Sequence, residues 1–353
     1  MRKNYQEINM LKGLGTILVF AVHYSQSFSG APLLLRQICM LGQLGVQAFL
    51  LCTGFLLTNS LQDQENFSYG RYLKKRFYNL APMYWLSLIL YALMQLLFNC
   101  LDIKTLFSGK YDFWGIFVNA TFLHGLIPAY NNTVVPGGWF VGTVILMYIL
   151  LPPLLMRRGR KKISILAAPI VSLISMAGCL VLQYIAPDLT GNNRFFFCSV
   201  LCQMPAVLEG IRLFEQGYSA DISVPRCLIK VAALGLACAG IFYIGNAVLV
   251  CLIPWLGSSM FVAILRLMCF CKSKGWLQRP MRYLEKLGRN SYPIFLLHFL
   301  FAWFVPDVVK HVLGARVNET ILLFILILPC FAAAALFGER LGAGMQLIIK
   351  KLR

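Results

Sequence analysis

Charged residues are scarce in this sequence, and acidic residues are the scarcest of them. Only 13% of the 353 residues are charged, and 13 Asp and Glu stand against 32 Lys and Arg. Soluble domains carry about 25% charged residues, so this composition excludes a soluble protein. What is present instead is apolar, since 59% of the residues are hydrophobic and the mean hydropathy is +0.71. The sequence therefore predicts a polytopic membrane protein.

Long polar stretches are also missing, which leaves no room for a separate soluble domain. Apolar segments of about 20 residues, the length that spans a bilayer as a helix, recur along the chain. We predict an all-α bundle that forms a single transmembrane domain over residues 1–353. About ten transmembrane helices are expected, at 8–28, 38–60, 77–98, 139–156, 163–186, 195–215, 227–245, 247–271, 290–312 and 318–338.

The longest interruption, residues 99–138, has an apolar centre at 112–127. This centre is too short to span the bilayer comfortably, which predicts an interfacial or re-entrant piece on the outer side. A loop of this length in a compact bundle is usually functional.

The net charge of +19 would raise the question of nucleic acid binding in a soluble protein. Here the positions of the Lys and Arg residues are explained by the predicted membrane topology instead. With a cytoplasmic N-terminus, all but six of the 32 Lys and Arg fall on the cytoplasmic side, the six being Arg36, Lys104, Lys110, Arg194, Lys310 and Arg316. The positive-inside rule therefore predicts an N-in and C-in protein, and no nucleic acid partner is expected.

Sequence patterns that are typical of metal-binding sites are missing too. The 12 cysteines lie almost all inside predicted spans, singly or as the pairs Cys198/Cys202 and Cys269/Cys271. None has the paired spacing with histidines that zinc sites require, and such cysteines usually behave as small apolar residues. We therefore predict no metal.

Two polar residues interrupt the first apolar segment. Lys12 and His23 are eleven residues apart, which on a helix is only about 20° beyond three full turns and about 16 Å along the axis. The two side chains therefore share one face, and ionisable groups at membrane depth normally face the bundle interior. The alternatives are a lysine that extends to the inner interface and a histidine that is a hydrogen-bonded packing residue.

Two other segments carry polar groups near membrane depth. Ser291 and His298 are seven residues apart and share a helix face, although His298 alone could be a packing residue. The cations Lys74, Lys75 and Arg76 mark the cytoplasmic start of the third helix. They could bind an anionic ligand such as the phosphates of coenzyme A, or form an ordinary positive-inside flank.

Five short motifs follow one another along residues 12–299. They are Lys12-x10-His23, LGQLGVQAFLLCTGFLL (41–57), KKRFYNLAPMYW (74–85), GGWFVGTVILMYILLPPLL (137–155) and LGRNSYPIFLLHF (287–299). In this order they resemble the acyltransferase-3 family of integral-membrane O-acyltransferases. Three positions depart from the family pattern: Thr53 stands in place of the serine of a Ser-Gly-Phe sequence, Asn79 replaces the second arginine of the third-helix motif, and Val144 replaces a glutamate that many members carry. With Val144 at that position, the sequence resembles the polysaccharide O-acetyltransferase branch of the family.

The resemblance implies transfer of an acetyl or other short acyl group from cytosolic acyl-CoA to a hydroxyl of a cell-surface or cell-envelope glycan. It implies His23 as general base or transient acyl carrier, and Lys12, Lys75 and Arg76 as donor-binding cations. Residues expected to line the channel or contact substrate are Ser291, His298, Trp139 and Tyr148. The expected location is the bacterial plasma membrane, with membrane lipid and a carbohydrate acceptor as partners.

Two other functions fit the same residues. A proton-coupled transporter or flippase of a glycan or small molecule would also place Lys and His inside the membrane, although no internal repeat is visible. A non-catalytic family member is the third possibility, because Asn79 removes one cation of the expected donor site. Acceptor choice is expected in the outer loops 99–138 and 187–194, where His124, Trp114 and Tyr130, together with Trp139, could contact a carbohydrate. The alternative for the aromatic residues is an ordinary belt at the outer membrane interface.

Overall fold

A computed structural model describes residues 5–62, 67–98, 102–158, 162–191, 194–217, 222–314 and 318–352. Across these ranges the regular structure is helical and contains no strand, which confirms the predicted all-α class. The α-helices are α1 (Gln6–Gln26), α2 (Leu33–Met40), α3 (Gly45–Ser60), α4 (Tyr69–Phe98), α5 (Ile103–Ser108), α6 (Phe113–Ala120), α7 (Gly138–Arg158), α8 (Ala167–Ile185), α9 (Phe195–Cys198), α10 (Val200–Gln216), α11 (Val224–Ile244), α12 (Ile253–Ser273), α13 (Gln278–Arg289), α14 (Ser291–Phe299), α15 (Val305–Leu313) and α16 (Glu319–Leu352).

Within the described ranges, nine helical segments are long and apolar enough to cross a membrane. They correspond to the second through the tenth of the predicted spans, so the chain is a multi-pass membrane protein. The remaining segment, α1, has 21 residues and would extend about 30 Å, the thickness of the hydrocarbon core. It is the segment that carries Lys12 and His23. The N-in and C-in orientation stays a prediction.

Two helices are longer than the sequence pattern predicted. α4 begins at Tyr69 rather than near 77, and α16 continues to Leu352 rather than ending near 338. Both extensions are rich in Lys, Arg and Leu, which are good helix formers whose charged heads extend into the polar interface. In the long loop, α6 has only eight residues and two 3₁₀ turns follow it. Residues 99–101 and 192–193 of the predicted acceptor loops lie outside the described residues.

The chain divides into two compact units. Unit 1 comprises residues 1–60, 162–180 and 201–339, and unit 2 comprises residues 61–161, 181–200 and 340–353. Of the predicted site residues, Lys12, His23, Ser291 and His298 belong to unit 1, whereas Lys75, Arg76, Trp139 and Tyr148 belong to unit 2. A single domain over residues 1–353 stays a prediction.

In unit 1, α1 packs directly against the backbone of α13. A Cβ atom at Gly288 would lie 1.7 Å from the carbonyl oxygen of Asn9, and one at Gly13 would lie 2.0 Å from that of Leu284. Only glycine permits such an approach, because any side chain would overlap the facing backbone. Further along α1, His23 lies beside His298, so α1 runs in the same direction as the α13–α14 segment.

Candidate active site

The ring of His23 is held on several sides near the end of α1. Its Nδ1 lies 3.1 Å from the side-chain oxygen of Gln26, one turn further along the helix. An amide oxygen only accepts hydrogen bonds, so Nδ1 is the donor in this contact, and in the neutral ring Nε2 then carries the lone pair. The ring centroid lies 4.3 Å from that of Phe299 and 6.0 Å from that of Trp303. The imidazole is therefore oriented, half-buried, and has a basic nitrogen available.

His298 on α14 is more deeply buried and is fixed in the same tautomer. Its Nδ1 donates to the carbonyl oxygen of Phe295 at 2.5 Å, and the residue is 1% exposed. Its Nε2 is buried and has no hydrogen-bond partner among the described residues. Leaving a buried acceptor unpaired is unfavourable, so Nε2 of His298 is suited to accept a hydrogen bond from a water or a substrate hydroxyl.

The two imidazoles form a pair. Their ring centroids are 5.2 Å apart with an interplanar angle of 43°, and Phe299 contacts both rings. Each ring has its Nδ1 next to an oxygen that accepts a hydrogen bond, so in the neutral form each imidazole presents a basic Nε2. Such a site can take a proton from an alcohol near pH 7.

The other two unit 1 residues lie on the same pair of helices. Lys12 is half-buried on α1, about 16 Å along the axis from His23. No carboxylate lies within ion-pair distance of its ammonium in the described ranges. Ser291 is buried at the first residue of α14, two turns before His298. An unpaired, half-buried cation is suited to an anionic ligand.

Several contacts of His23 could not be read from the sequence. Trp303 donates its indole N–H to the carbonyl oxygen of His23 at 2.9 Å. Trp303 lies in a π-helical turn, Leu300–Phe304, that directly follows α14. Such turns are frequent at functional sites. An aromatic residue five positions after a histidine is the one available signal, and it is indistinguishable from a lipid-facing aromatic.

In unit 2, Arg76 joins two of the sequence motifs. Its guanidinium lies 4.6 Å from the ring centroid of Tyr148 on α7 and 5.1 Å from that of Tyr72 on α4. The two tyrosine rings pack edge to face, 6.3 Å apart. Arg76 is half-buried, and guanidinium groups stack favourably on aromatic faces. The structure thus brings Arg76 and Tyr148 together.

The other two predicted site residues of unit 2 are Lys75 and Trp139. Lys75 is exposed beside Arg76 on α4, and Trp139 is partly buried in the first turn of α7. The ring contact recorded for Trp139 is with its neighbour Phe140. Among the described residues of unit 2, Trp139 is therefore not brought next to another predicted site residue by a ring contact.

His124, expected as an acceptor contact, is fully buried in unit 2. Its Nε2 donates to the carbonyl oxygen of Gly138 at 2.9 Å, and its ring stacks on that of Tyr84. The Tyr84 hydroxyl donates to Asn119. Burial lowers the pKa of His124, so this imidazole is neutral at pH 7. The arrangement ties the long loop to α4 and α7 and leaves no His124 surface for a carbohydrate.

A metal site requires several ligating side chains close together. No cluster of three or more His, Cys, Asp or Glu was found in the described ranges. The absence of a metal from the reaction stays a prediction.

Fold and site together define a multi-pass helical membrane protein with a pair of imidazoles, one half-buried and one buried. The sequence matches the family model of the acyltransferase-3 domain, described as an acyltransferase domain, over residues 5–339. The chain belongs to this family, which confirms the resemblance seen in the five motifs, and it is a membrane acyltransferase. A comparison with curated proteins found no match, and neither did a comparison with solved structures.

Proposed function

We propose that the chain transfers an acetyl or other short acyl group from cytosolic acyl-CoA to a hydroxyl of a cell-envelope glycan. The observation that carries the proposal is the His23 side chain, whose Nδ1 lies 3.1 Å from the side-chain oxygen of Gln26; when Nδ1 donates to that oxygen, Nε2 of the neutral ring is the atom that accepts a proton. Alcohols are weak nucleophiles until a base removes their proton, and a neutral imidazole is well suited to that task.

The proposed step is an acyl exchange. Nε2 of His23 takes the hydroxyl proton while the hydroxyl oxygen attacks the thioester carbonyl carbon. The carbon–sulfur bond then breaks, and the leaving thiolate takes up the proton from His23. In the alternative, Nε2 itself attacks the thioester carbonyl carbon, the carbon–sulfur bond breaks and the acyl group is held on Nε2. The hydroxyl oxygen then attacks the acyl carbon, the carbon–nitrogen bond breaks, and the coenzyme A thiolate takes up the hydroxyl proton. Trapping acyl-His23 after quenching in the absence of acceptor would distinguish the two.

Lys12, Lys75 and Arg76 are the proposed donor contacts. Coenzyme A carries several phosphate charges, and Lys and Arg bind phosphate through charge-assisted hydrogen bonds. The unpaired Lys12 ammonium and the stacked Arg76 guanidinium fit this role. An extended donor suits the distance of about 16 Å between Lys12 and His23 on α1.

On the acceptor side we propose a carbohydrate, with Ser291, His298, Trp139 and Tyr148 lining its path. The proposed location is the bacterial plasma membrane, with lipid as the surrounding partner. Ester-linked acyl groups on surface glycans should be present in cells that make the protein and missing from cells that lack it. Equal ester content in both would contradict a glycan acceptor while leaving acyl transfer to another alcohol testable with labelled donor.

Replacing Lys12 by Met should weaken donor binding more than turnover. Methionine keeps the length and apolar stem of the side chain but removes the charge, and a charge-assisted contact contributes about 1.5–3 kcal/mol. We therefore expect KM for acyl-CoA to rise by at least about tenfold, with a smaller change in kcat. Steady-state kinetics over donor concentration measure this. An unchanged KM would remove Lys12 from the donor site.

Replacing His298 by Asn isolates the role of its Nε2. The asparagine amide can still donate to the carbonyl oxygen of Phe295, as Nδ1 of His298 does, but it lacks the distal acceptor. If Nε2 positions the hydroxyl or His23, kcat should fall by about tenfold or more, and its pH profile should shift. A variant that folds with wild-type kcat and pH profile would show that His298 only packs.

A further inference from the structure

The spans before and after α13 in the chain place this helix at one surface of the membrane. It has 12 residues, about 18 Å, and is too short to span. It follows the span Leu249–Ser273 and precedes the span Ser291–Leu313. Both neighbours cross the membrane, so α13 and the turn before it stay at the interface.

The two faces of α13 differ in chemistry. The inner face contributes Met281, Leu287 and Gly288, which are buried, and Gly288 contacts the backbone of α1. The opposite face carries exposed residues at helical spacing, namely Arg279, Arg282, Tyr283 and Lys286. Together with Lys274, Trp276 and Leu277 of the preceding turn, these residues form what we name the basic interfacial face.

Within the described residues, three cations of the basic interfacial face lack a counter-ion. Lys286 pairs with Glu339 at 3.1 Å, and the neighbouring Arg289 pairs with Glu285. Lys274, Arg279 and Arg282, in contrast, have no carboxylate within ion-pair distance in the part of the chain that the structure describes. The surface therefore offers positive charge for an anion from outside the chain.

The same surface exposes large apolar side chains next to these cations. Trp276 is 58% exposed, Leu277 is 63% exposed and Tyr283 is 50% exposed. Leu277 also has φ of 55°, a left-handed conformation that is unfavourable for leucine. Basic residues beside exposed aromatic and leucine side chains match the chemistry of the headgroup boundary, where acyl chains meet phosphates.

We propose that the basic interfacial face binds an anionic phospholipid. Arg279 and Arg282 contact the phosphate of the headgroup, and Trp276 and Leu277 enter the boundary of the acyl chains. A soluble phosphate would satisfy the cations but would leave the apolar side chains exposed to water. Because α13 contacts α1 at Gly13, next to Lys12, the bound lipid stabilises the helix pair that carries this lysine.

The test uses the full-length protein in nanodiscs of phosphatidylcholine with and without phosphatidylglycerol. Native mass spectrometry counts the phospholipids retained after release. Wild-type protein should retain phosphatidylglycerol in preference to phosphatidylcholine. The double variant Arg279→Gln/Arg282→Gln should lose about thirtyfold in phosphatidylglycerol affinity, since two cations near the anionic lipid are removed.

The matched control is Arg71→Gln/Arg157→Gln, which removes two exposed cations predicted to lie on the same side of the membrane. It should retain phosphatidylglycerol like the wild type. Absence of a preference in the wild type, or equal loss in the control, would overturn the proposal. Displacement of the lipid by inorganic phosphate or coenzyme A would also overturn it, because the cations would then serve a soluble phosphate. None of these readouts depends on acyl transfer.

Discussion

His23→Ala should abolish acyl transfer while leaving the protein folded in the membrane. Positioned acid–base groups contribute about 100- to 10,000-fold to rate, and loss of an acyl carrier would be at least as severe. The ring of His23 is half-buried and packs on Phe299 and Trp303, so its removal leaves a small void and no unpaired charge. Activity per folded molecule, measured with labelled acyl-CoA, is the quantity to compare.

The matched control is His311→Ala, because His311 is an exposed histidine on α15. It should keep wild-type activity and wild-type yield. Equal activity in His23→Ala and His311→Ala would remove His23 from the mechanism. Equal loss in both would mean that the assay reports membrane insertion rather than chemistry.

Gly288→Ala should destabilise unit 1 strongly. The new Cβ would lie 1.7 Å from the carbonyl oxygen of Asn9 and 2.9 Å from the backbone nitrogen of Gly13, and backbone atoms cannot move aside as a flexible side chain can. Overpacking costs about 1–3 kcal/mol when side chains can adjust, so we expect about 3 kcal/mol or more here. The midpoint of thermal unfolding in detergent measures the loss.

Gly240→Ala is the control for this substitution. Gly240 lies inside α11, and no atom beyond its chain neighbours and its own helix backbone lies within 4 Å of its would-be Cβ among the described residues. Alanine is the better helix former by about 0.5–1 kcal/mol, so this variant should be at least as stable as the wild type. Equal midpoints for Gly288→Ala and Gly240→Ala would show that α1 and α13 are not in backbone contact.

The membrane class and most of the spans could be predicted from sequence, because an apolar run of span length has few alternatives. Helix ends were predicted less well, since Lys-rich extensions such as the start of α4 remain helical outside the apolar core. The π-helical turn after His298 was not predicted, because it changes hydrogen bonding within a segment that reads as one continuous apolar helix.

The candidate site, too, could be predicted from sequence only in part. Helical spacing placed Lys12 and His23 on one helix face, but the approach of His298 to His23 depends on how α1 packs beside α14. Similarly, Arg76 and Tyr148 are 72 positions apart, and their contact depends on packing between α4 and α7. Spacing within a helix is local information, whereas both pairings are tertiary. The roles of all these residues stay predictions.

The most direct test uses acetyl-CoA labelled in its acetyl group. It is added to inverted membrane vesicles from cells that make the wild-type protein or His23→Ala, and label is followed in coenzyme A and in the glycan fraction. Our account predicts that label leaves coenzyme A and appears as glycan ester with the wild type and not with His23→Ala. Label that stays on coenzyme A with the wild type, or moves equally with both, would contradict it.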